Sequence, residues 1–230
     1  MDTLAFRWGR LARAGAGCAL AALSLALLPA RAGTLEVTVV DKDGKPVPDA
    51  VVIATPAHAG GTPPTLASSA VIGQEKLQFV PALTVVAAGA KVSFENRDSF
   101  DHHVRGTRAT LMGSADAAPG AGFELRVDGR KAGGAVKSQE VTLAEPGPIL
   151  LGCHLHGSMR GYVYVAQSPW TLQTDAQGHA SLAGLPDGAV QVRVWQAEQL
   201  LDLPPVAATT GATPVQVRIA LQVVPRRRRI

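Results

Sequence analysis

Short runs of alternating apolar and polar residues, each closed by a turn signal, recur from residue 34 to residue 223. This period-two pattern restricts the fold more than anything else in the chain. Leu35-Glu36-Val37-Thr38-Val39 alternates, Asp41-Lys42-Asp43-Gly44 turns the chain, and an apolar run follows from Ala50 to Ala54. Residues 57 to 69, rich in Ala, Gly, Ser, Thr and Pro, read as a connecting loop. A second set of strands is expected at Leu77 to Pro81, Leu83 to Val86 and, after a turn at Gly89, Lys91 to Asn96. Residues 106 to 122 read as a long surface loop with a helical turn at Arg108 to Met112. Further strands are expected at Phe123 to Val127, Gln139 to Leu143, Pro148 to Cys153, Gly161 to Val165, Val190 to Trp195 and Val215 to Val223. With 24 Gly, 16 Pro and hardly any helical periodicity, the chain is predicted to be all-β.

The amino terminus reads differently. Arg7, Arg10 and Arg13 precede an uncharged run from Ala14 to Leu28, and Pro29-Ala30-Arg31-Ala32 follows before Gly33. This is the pattern of a secretory signal peptide over residues 1–32, short for a membrane span and ending in an Ala-x-Ala cleavage site. Export to a periplasm is the expectation, with no membrane span once the leader is gone. Cleavage after Ala32 leaves 198 residues, removes Cys18 and lowers the formal net charge from +4 to +1. Among the remaining basic residues, the one concentrated run is Arg226 to Arg229, in a tail at 226–230. Few aromatics and no basic stripe interleaved with them argue against a nucleic-acid partner.

The mature chain therefore keeps one cysteine, Cys153, in a compartment where cysteines are usually paired. It stands in Cys153-His154-Leu155-His156-Gly157-Ser158-Met159, where thiol, imidazole and thioether recur at three-residue intervals. Such a mixture of soft donors with imidazole suits copper moving between Cu(I) and Cu(II). Period two puts Ile149, Leu151 and Cys153 on one side of their strand, so Cys153 points inward. The triplet then occupies the loop between two strands at one end of a sandwich. A type 1 copper centre needs a second imidazole, and one short loop cannot wrap the ion alone. Asn96-Arg97-Asp98-Ser99-Phe100-Asp101-His102-His103-Val104 offers it, immediately after a strand. Neighbouring residues of an extended segment face opposite ways, so only one of His102 and His103 is expected to ligate, and His102 is taken as that residue. His103 is then a hydrogen-bonding neighbour, an alternative ligand or a solvent-facing residue. The expected metal set is His102, Cys153, His156 and Met159; Asn96, His103 and His154 are supporting or alternative residues. His58 and His179 are read as loop residues without a role. One Cys and two His with an open position would also describe catalytic zinc, but Met159 at ligand spacing argues against it.

These residues resemble the cupredoxin family, and the plastocyanin and amicyanin group in particular. Leu77-x-Phe79-Val80-Pro81, Gly89, Val92-x-Phe94-x-Asn96 and His102 follow that family's opening half, and Cys153-x-x-His156-x-x-Met159 has the spacing of the amicyanin ligand loop. The whole mature chain also resembles bacterial periplasmic cupredoxins of the "methylamine utilisation protein" type. There the resemblance takes in His102-His103-Val104, Gly152-Cys153, Tyr162 to Val165, Thr174-Asp175-x-x-Gly178 and Arg193-Val194-Trp195. The resemblance implies a Greek-key β-sandwich, one copper ion, single-electron transfer and a periplasmic redox partner such as a cytochrome or dehydrogenase. It departs from plastocyanins at His103, where Asn is usual and its hydrogen bond ties the two ligand loops together. The segment from Gly106 to Gly122 also exceeds the compact pattern. Flanking segments resemble something else: Thr34 to Ala54 and Thr174 to Trp195 are similar to prealbumin-like or carboxypeptidase-regulatory-like β domains. The expected division is a β segment at 33–69, a cupredoxin domain at 70–166 and a small β domain at 167–225. The outer two either pair as one split domain or stand as consecutive units. A copper carrier or sensor that delivers metal without redox cycling is the alternative function, and an interaction module with a merely structural Cys a third. No Ser-His-Asp or paired-carboxylate pattern points to an enzyme.

Overall fold

In the computed structural model, residues 33–109 and 122–223 are described. The expected leader, the basic tail and the Thr110 to Met112 part of the expected helical turn lie outside them. All regular elements among the described residues are strands: β1 (Gly33–Asp41), β2 (Val51–Pro56), β3 (Ser69–Glu75), β4 (Gln78–Val80), β5 (Leu83–Val86), β6 (Ala90–Asn96), β7 (His102–Arg108), β8 (Phe123–Val127), β9 (Lys137–Leu143), β10 (Gly147–Cys153), β11 (Arg160–Val165), β12 (Trp170–Gln173), β13 (His179–Leu185), β14 (Gly188–Trp195), β15 (Val206–Thr210) and β16 (Val215–Leu221).

They form two sandwiches. In the first, a sheet of order β13-β1-β16 faces one of order β12-β2-β14-β15. Leu35, Val37 and Val39, the apolar half of the β1 alternation, meet Val52, Ala54, Val192 and Ile219 in its core. Strand β1 runs antiparallel to β13 and parallel to β16, while β2 lies between β12 and β14. Strands from before residue 57 thus share sheets with strands from after residue 169. The second sandwich is built from the intervening chain, with order β5-β11-β10-β7-β8 facing β4-β3-β6-β9. Its core holds Ile72, Val92, Phe94, Val104, Leu151 and Val163.

A third apolar cluster joins the two. Val51, Ile53 and Trp195 of the first sandwich pack on Leu83 and Tyr164 of the second. The Trp195 ring lies 5.5 Å from Tyr162 and 5.6 Å from Tyr164 between centroids. Strand β11 is the hinge of this arrangement: Val163 and Val165 enter the second core, while Tyr162 and Tyr164 meet Trp195 behind it.

Three segments differ from their sequence expectation. Strand β3 has no counterpart in it, because its inward face reads Ala70, Ile72, Gln74 and the buried Gln breaks the apolar alternation. The expected strand from Leu77 starts one residue later. Lys76 and Leu77 take positive φ values of 53° and 60° and form the tight turn between β3 and β4. Strand β7 runs on through Gly106 to Arg108, where a loop was expected. Gly106 pairs with Phe123, and a Cβ there would stand 2.1 Å from the Phe123 ring. Glycine is what lets that ring lie across the strand.

Candidate metal centre

Two strand ends and one loop bring the donors together. His102 opens β7 and Cys153 closes β10, which pair antiparallel with Cys153 opposite Val104. Both point into the sandwich, His102 fully buried and Cys153 nearly so. The loop from His154 to Met159 then returns the chain into β11. Its Met159 N–H donates to the His156 carbonyl at 3.0 Å, and that turn swings His156 back over the end of the sheet.

His102 Nδ1, His156 Nδ1 and Cys153 Sγ form a triangle with sides of 3.2, 3.5 and 3.6 Å. A point in its plane lies about 2.0 Å from every corner, the reach of a metal–imidazole bond at the two nitrogens and about 0.3 Å short of a metal–thiolate bond at Sγ. The second nitrogen of His102, Nε2, is 3.0 Å from the Asp98 carboxylate. With Nε2 donating its proton there, Nδ1 carries a lone pair toward the other two donors. Met159 is buried in the same apolar cluster as Cys153. One thiolate, two imidazoles and a thioether are the donor set that suits copper, and the residues present fit that ion.

The supporting residues are equally specific. Asn96 is fully buried and satisfied: its Nδ2 donates to the Phe100 carbonyl (2.8 Å) and the Val127 carbonyl (3.0 Å), and its Oδ1 accepts the Asp98 N–H (3.0 Å). It therefore braces the loop before His102 and does not face the donors as a ligand. Asp98 also accepts the Lys76 N–H at 2.8 Å and the Leu77 N–H at 3.3 Å. Burial alone would raise its carboxyl. The hydrogen bonds from Lys76, His102 and Leu77 outweigh this and hold it below the ordinary carboxylate range. A carboxylate behind a ligand imidazole fixes the ring's tautomer and orientation.

His103 and His154 turn outward, away from the triangle. The His154 N–H donates to the His103 carbonyl at 2.9 Å, so backbone ties the two ligand strands here, where the family resemblance uses an Asn side chain. His58 lies in an exposed loop, whereas His179 opens β13 instead of sitting in a loop, because its backbone pairs with Thr38. Two residues pass unnoticed in the sequence. Phe100 stacks edge-on against both ligand rings, 5.2 Å from His102 and 5.1 Å from His156, and is itself 41% exposed. Asp98 had a signal, its place four residues before His102 in one tight loop. Gln74 is a further buried group: both of its amide atoms lack a partner among the described residues, and it pairs with Asn96 at the metal end of the sandwich.

Strand order and the buried donor cluster make residues 69–165 a cupredoxin-like domain. Among solved structures, the chain is similar to a reduced amicyanin variant, at 22% identity over 47% of this chain and 100% of that one, with a TM-score of 0.30. An oxidised amicyanin variant gives 21% identity over 47% and 100%, with a TM-score of 0.31. The copper-containing nitrite reductase of Thermus scotoductus SA-01 gives 19% identity over 49% of this chain and 25% of that one, with a TM-score of 0.33. No family model and no curated protein matches the chain.

Proposed function

We propose that this protein is a periplasmic type 1 copper protein that carries single electrons between redox partners. The observation that carries the reading is the buried triangle of two Nδ1 atoms and one thiol sulfur. In this reading His102, Cys153 and His156 would hold the ion, with the Met159 thioether as a fourth donor. Bound copper supplies the one-electron couple.

The chain's own contribution is stiffness and access. Asn96 and Asp98 fix His102, the two strands fix Cys153, and the short turn to Met159 fixes His156, so the donors need little rearrangement between oxidation states. His156 is the partly exposed ligand, with exposed Phe100 and Leu155 around it. That apolar mouth supports electron exchange at the His156 edge with a partner such as a cytochrome or dehydrogenase. A donor set filled by four side chains leaves no open position for a substrate, which supports a carrier over an enzyme. The signal-like leader in the sequence supports the periplasm. No helix among the described residues is long and apolar enough to cross a membrane.

Purified copper-loaded protein is expected to show strong visible absorption from thiolate-to-Cu(II) charge transfer and a reversible one-electron wave. Cys153→Ser is expected to abolish the colour. A colourless copper-loaded parent protein would overturn the reading, and coloured protein without a reversible wave would favour a metal carrier instead.

A further inference from the structure

Behind the donor triangle, on the outer face of the same sheet, stands a second group of metal-binding side chains that the electron-carrier reading does not use. Alternation puts it there. His102 and Cys153 point inward, so the next residue of each strand, His103 and His154, points out. The backbone hydrogen bond between them makes them a cross-strand pair, with ring centroids 5.6 Å apart and planes at 50°. Glu124, on the adjoining strand β8, brings its Oε2 to 3.4 Å from His103 Nε2. Its other oxygen, Oε1, holds Arg105 at 2.9 Å. One carboxylate oxygen is therefore committed to the arginine and the other faces the His103 imidazole.

We propose that His103, His154 and Glu124 form a second, solvent-facing Cu(II) site. Cross-strand neighbours have Cβ atoms about 4.5–5.5 Å apart, close enough for two imidazoles to reach one ion after a small rotation of exposed rings. His103 is one-third exposed, and nothing lies within 4 Å of where a Cβ on outward-facing Gly152 would stand. A cavity of about 230 Å³ opens over Gly152 beside His154, giving that ring room to turn.

The donor chemistry selects the ion. Two imidazoles and a carboxylate, without a sulfur, favour an oxidised divalent ion, and among the first-row divalent ions such sites bind copper most strongly. The neighbouring cations do not forbid it. Arg105 is turned onto Glu124 Oε1, leaving Oε2 free of it, and Arg126, opposite His103, is drawn to Asp101 at 2.6 Å. Arg160 shares the cavity wall and is exposed to solvent. An ion at this site would be linked to the inner donors through the His102–His103 and Cys153–His154 peptide bonds, a short covalent route between the two faces of the sheet.

The full-length protein, already carrying one equivalent of Cu(II), is titrated with further Cu(II) and followed by absorption and electron paramagnetic resonance. The expected result is a second equivalent that adds a resonance signal without adding to the thiolate band. It is lost in the His103→Gln/His154→Gln variant while the first equivalent and its band remain. Glu124→Gln, which leaves both ligand strands untouched, is expected to weaken the second equivalent. Failure to take up a second equivalent, or its survival in the double variant, overturns the proposal. A protein without the thiolate band that still binds one equivalent through His103 and His154 would overturn the electron-carrier reading and uphold this one.

Discussion

The carboxylate of Asp98 offers the sharpest test of how the site is held. Asp98 accepts hydrogen bonds from the buried His102 ring at 3.0 Å and from two backbone N–H groups of the β3–β4 turn. Asp98→Ala removes all three. The Lys76 and Leu77 N–H groups lie in an exposed turn and can turn to water, whereas His102 Nε2 is fully buried and cannot. An unsatisfied buried donor costs about 1–3 kcal/mol, so the metal-free protein is expected to lose about that much stability. At about 2–4 °C per kcal/mol for a chain of this size, thermal unfolding should fall by several degrees.

Asp98→Asn separates structure from charge. Its amide oxygen can still accept the Lys76 N–H, which bonds to a different oxygen of Asp98 than Leu77 and His102 do, so the stability loss should be no larger than for Ala. It no longer offers a charged acceptor to the imidazole, and loss of such a partner weakens metal binding about 10–100-fold. Because the negative charge that is removed favours Cu(II) over Cu(I), each tenfold of selective weakening raises the one-electron potential by about 59 mV. Calorimetry of the metal-free proteins, competitive metal titration and voltammetry measure the three quantities. An Asn variant with unchanged metal affinity and potential would refute the assignment of Asp98 as the group that orients His102.

Two further expectations concern the rest of the fold. Burial raises the Tyr164 phenol from its ordinary value near 10 to about 12. The unfolded chain then releases this proton first as pH rises, so stability should fall by about 2 kcal/mol between pH 10 and 12, and denaturant midpoints of Tyr164→Phe should fall less over that window. Gly106→Ala places a methyl 2.1 Å from the Phe123 ring and should cost about 1–3 kcal/mol by overpacking; a urea midpoint equal to the parent's would count against the close contact.

The parts that read directly from the sequence are those in which one strand settles its own geometry. Period two alone turned Cys153 inward, and the same alternation separated His102 from His103. What did not read directly depends on partners far away in the chain. Strand β3 carries a polar residue, Gln74, on its inward face, so its alternation looks broken until Asn96 and Phe79 are seen beside it. The parallel pairing of β1 with β16 sets Leu35 beside Val215, and no local pattern announces it. Gly106 looked like loop because its smallness suggested a turn, when it marks a ring packed against a strand. Asp98 and Phe100 were hidden for a different reason: a loop residue's contacts follow from the backbone path, and that path is set here by the buried Asn96 side chain.

The position of β11 explains why a second sandwich belongs on this domain. The loop carrying His156 and Met159 is anchored on one side by β10, which sits in mid-sheet between β7 and β11. On the other side it is anchored by β11, whose inward residues fill the second core. Without a neighbour, the outward Tyr162 and Tyr164 would leave that strand half in water and free to shift with the loop. Trp195, Val51 and Ile53 of the first sandwich cover it, so β11 is packed on both faces. Interiors packed at this density transmit small displacements and resist them. The return strand of the ligand loop is therefore held as firmly as the strand that bears Cys153. In a site whose donors stand 3.2 to 3.6 Å apart, that shared stiffness would keep the triangle from relaxing under the proposed one-electron change.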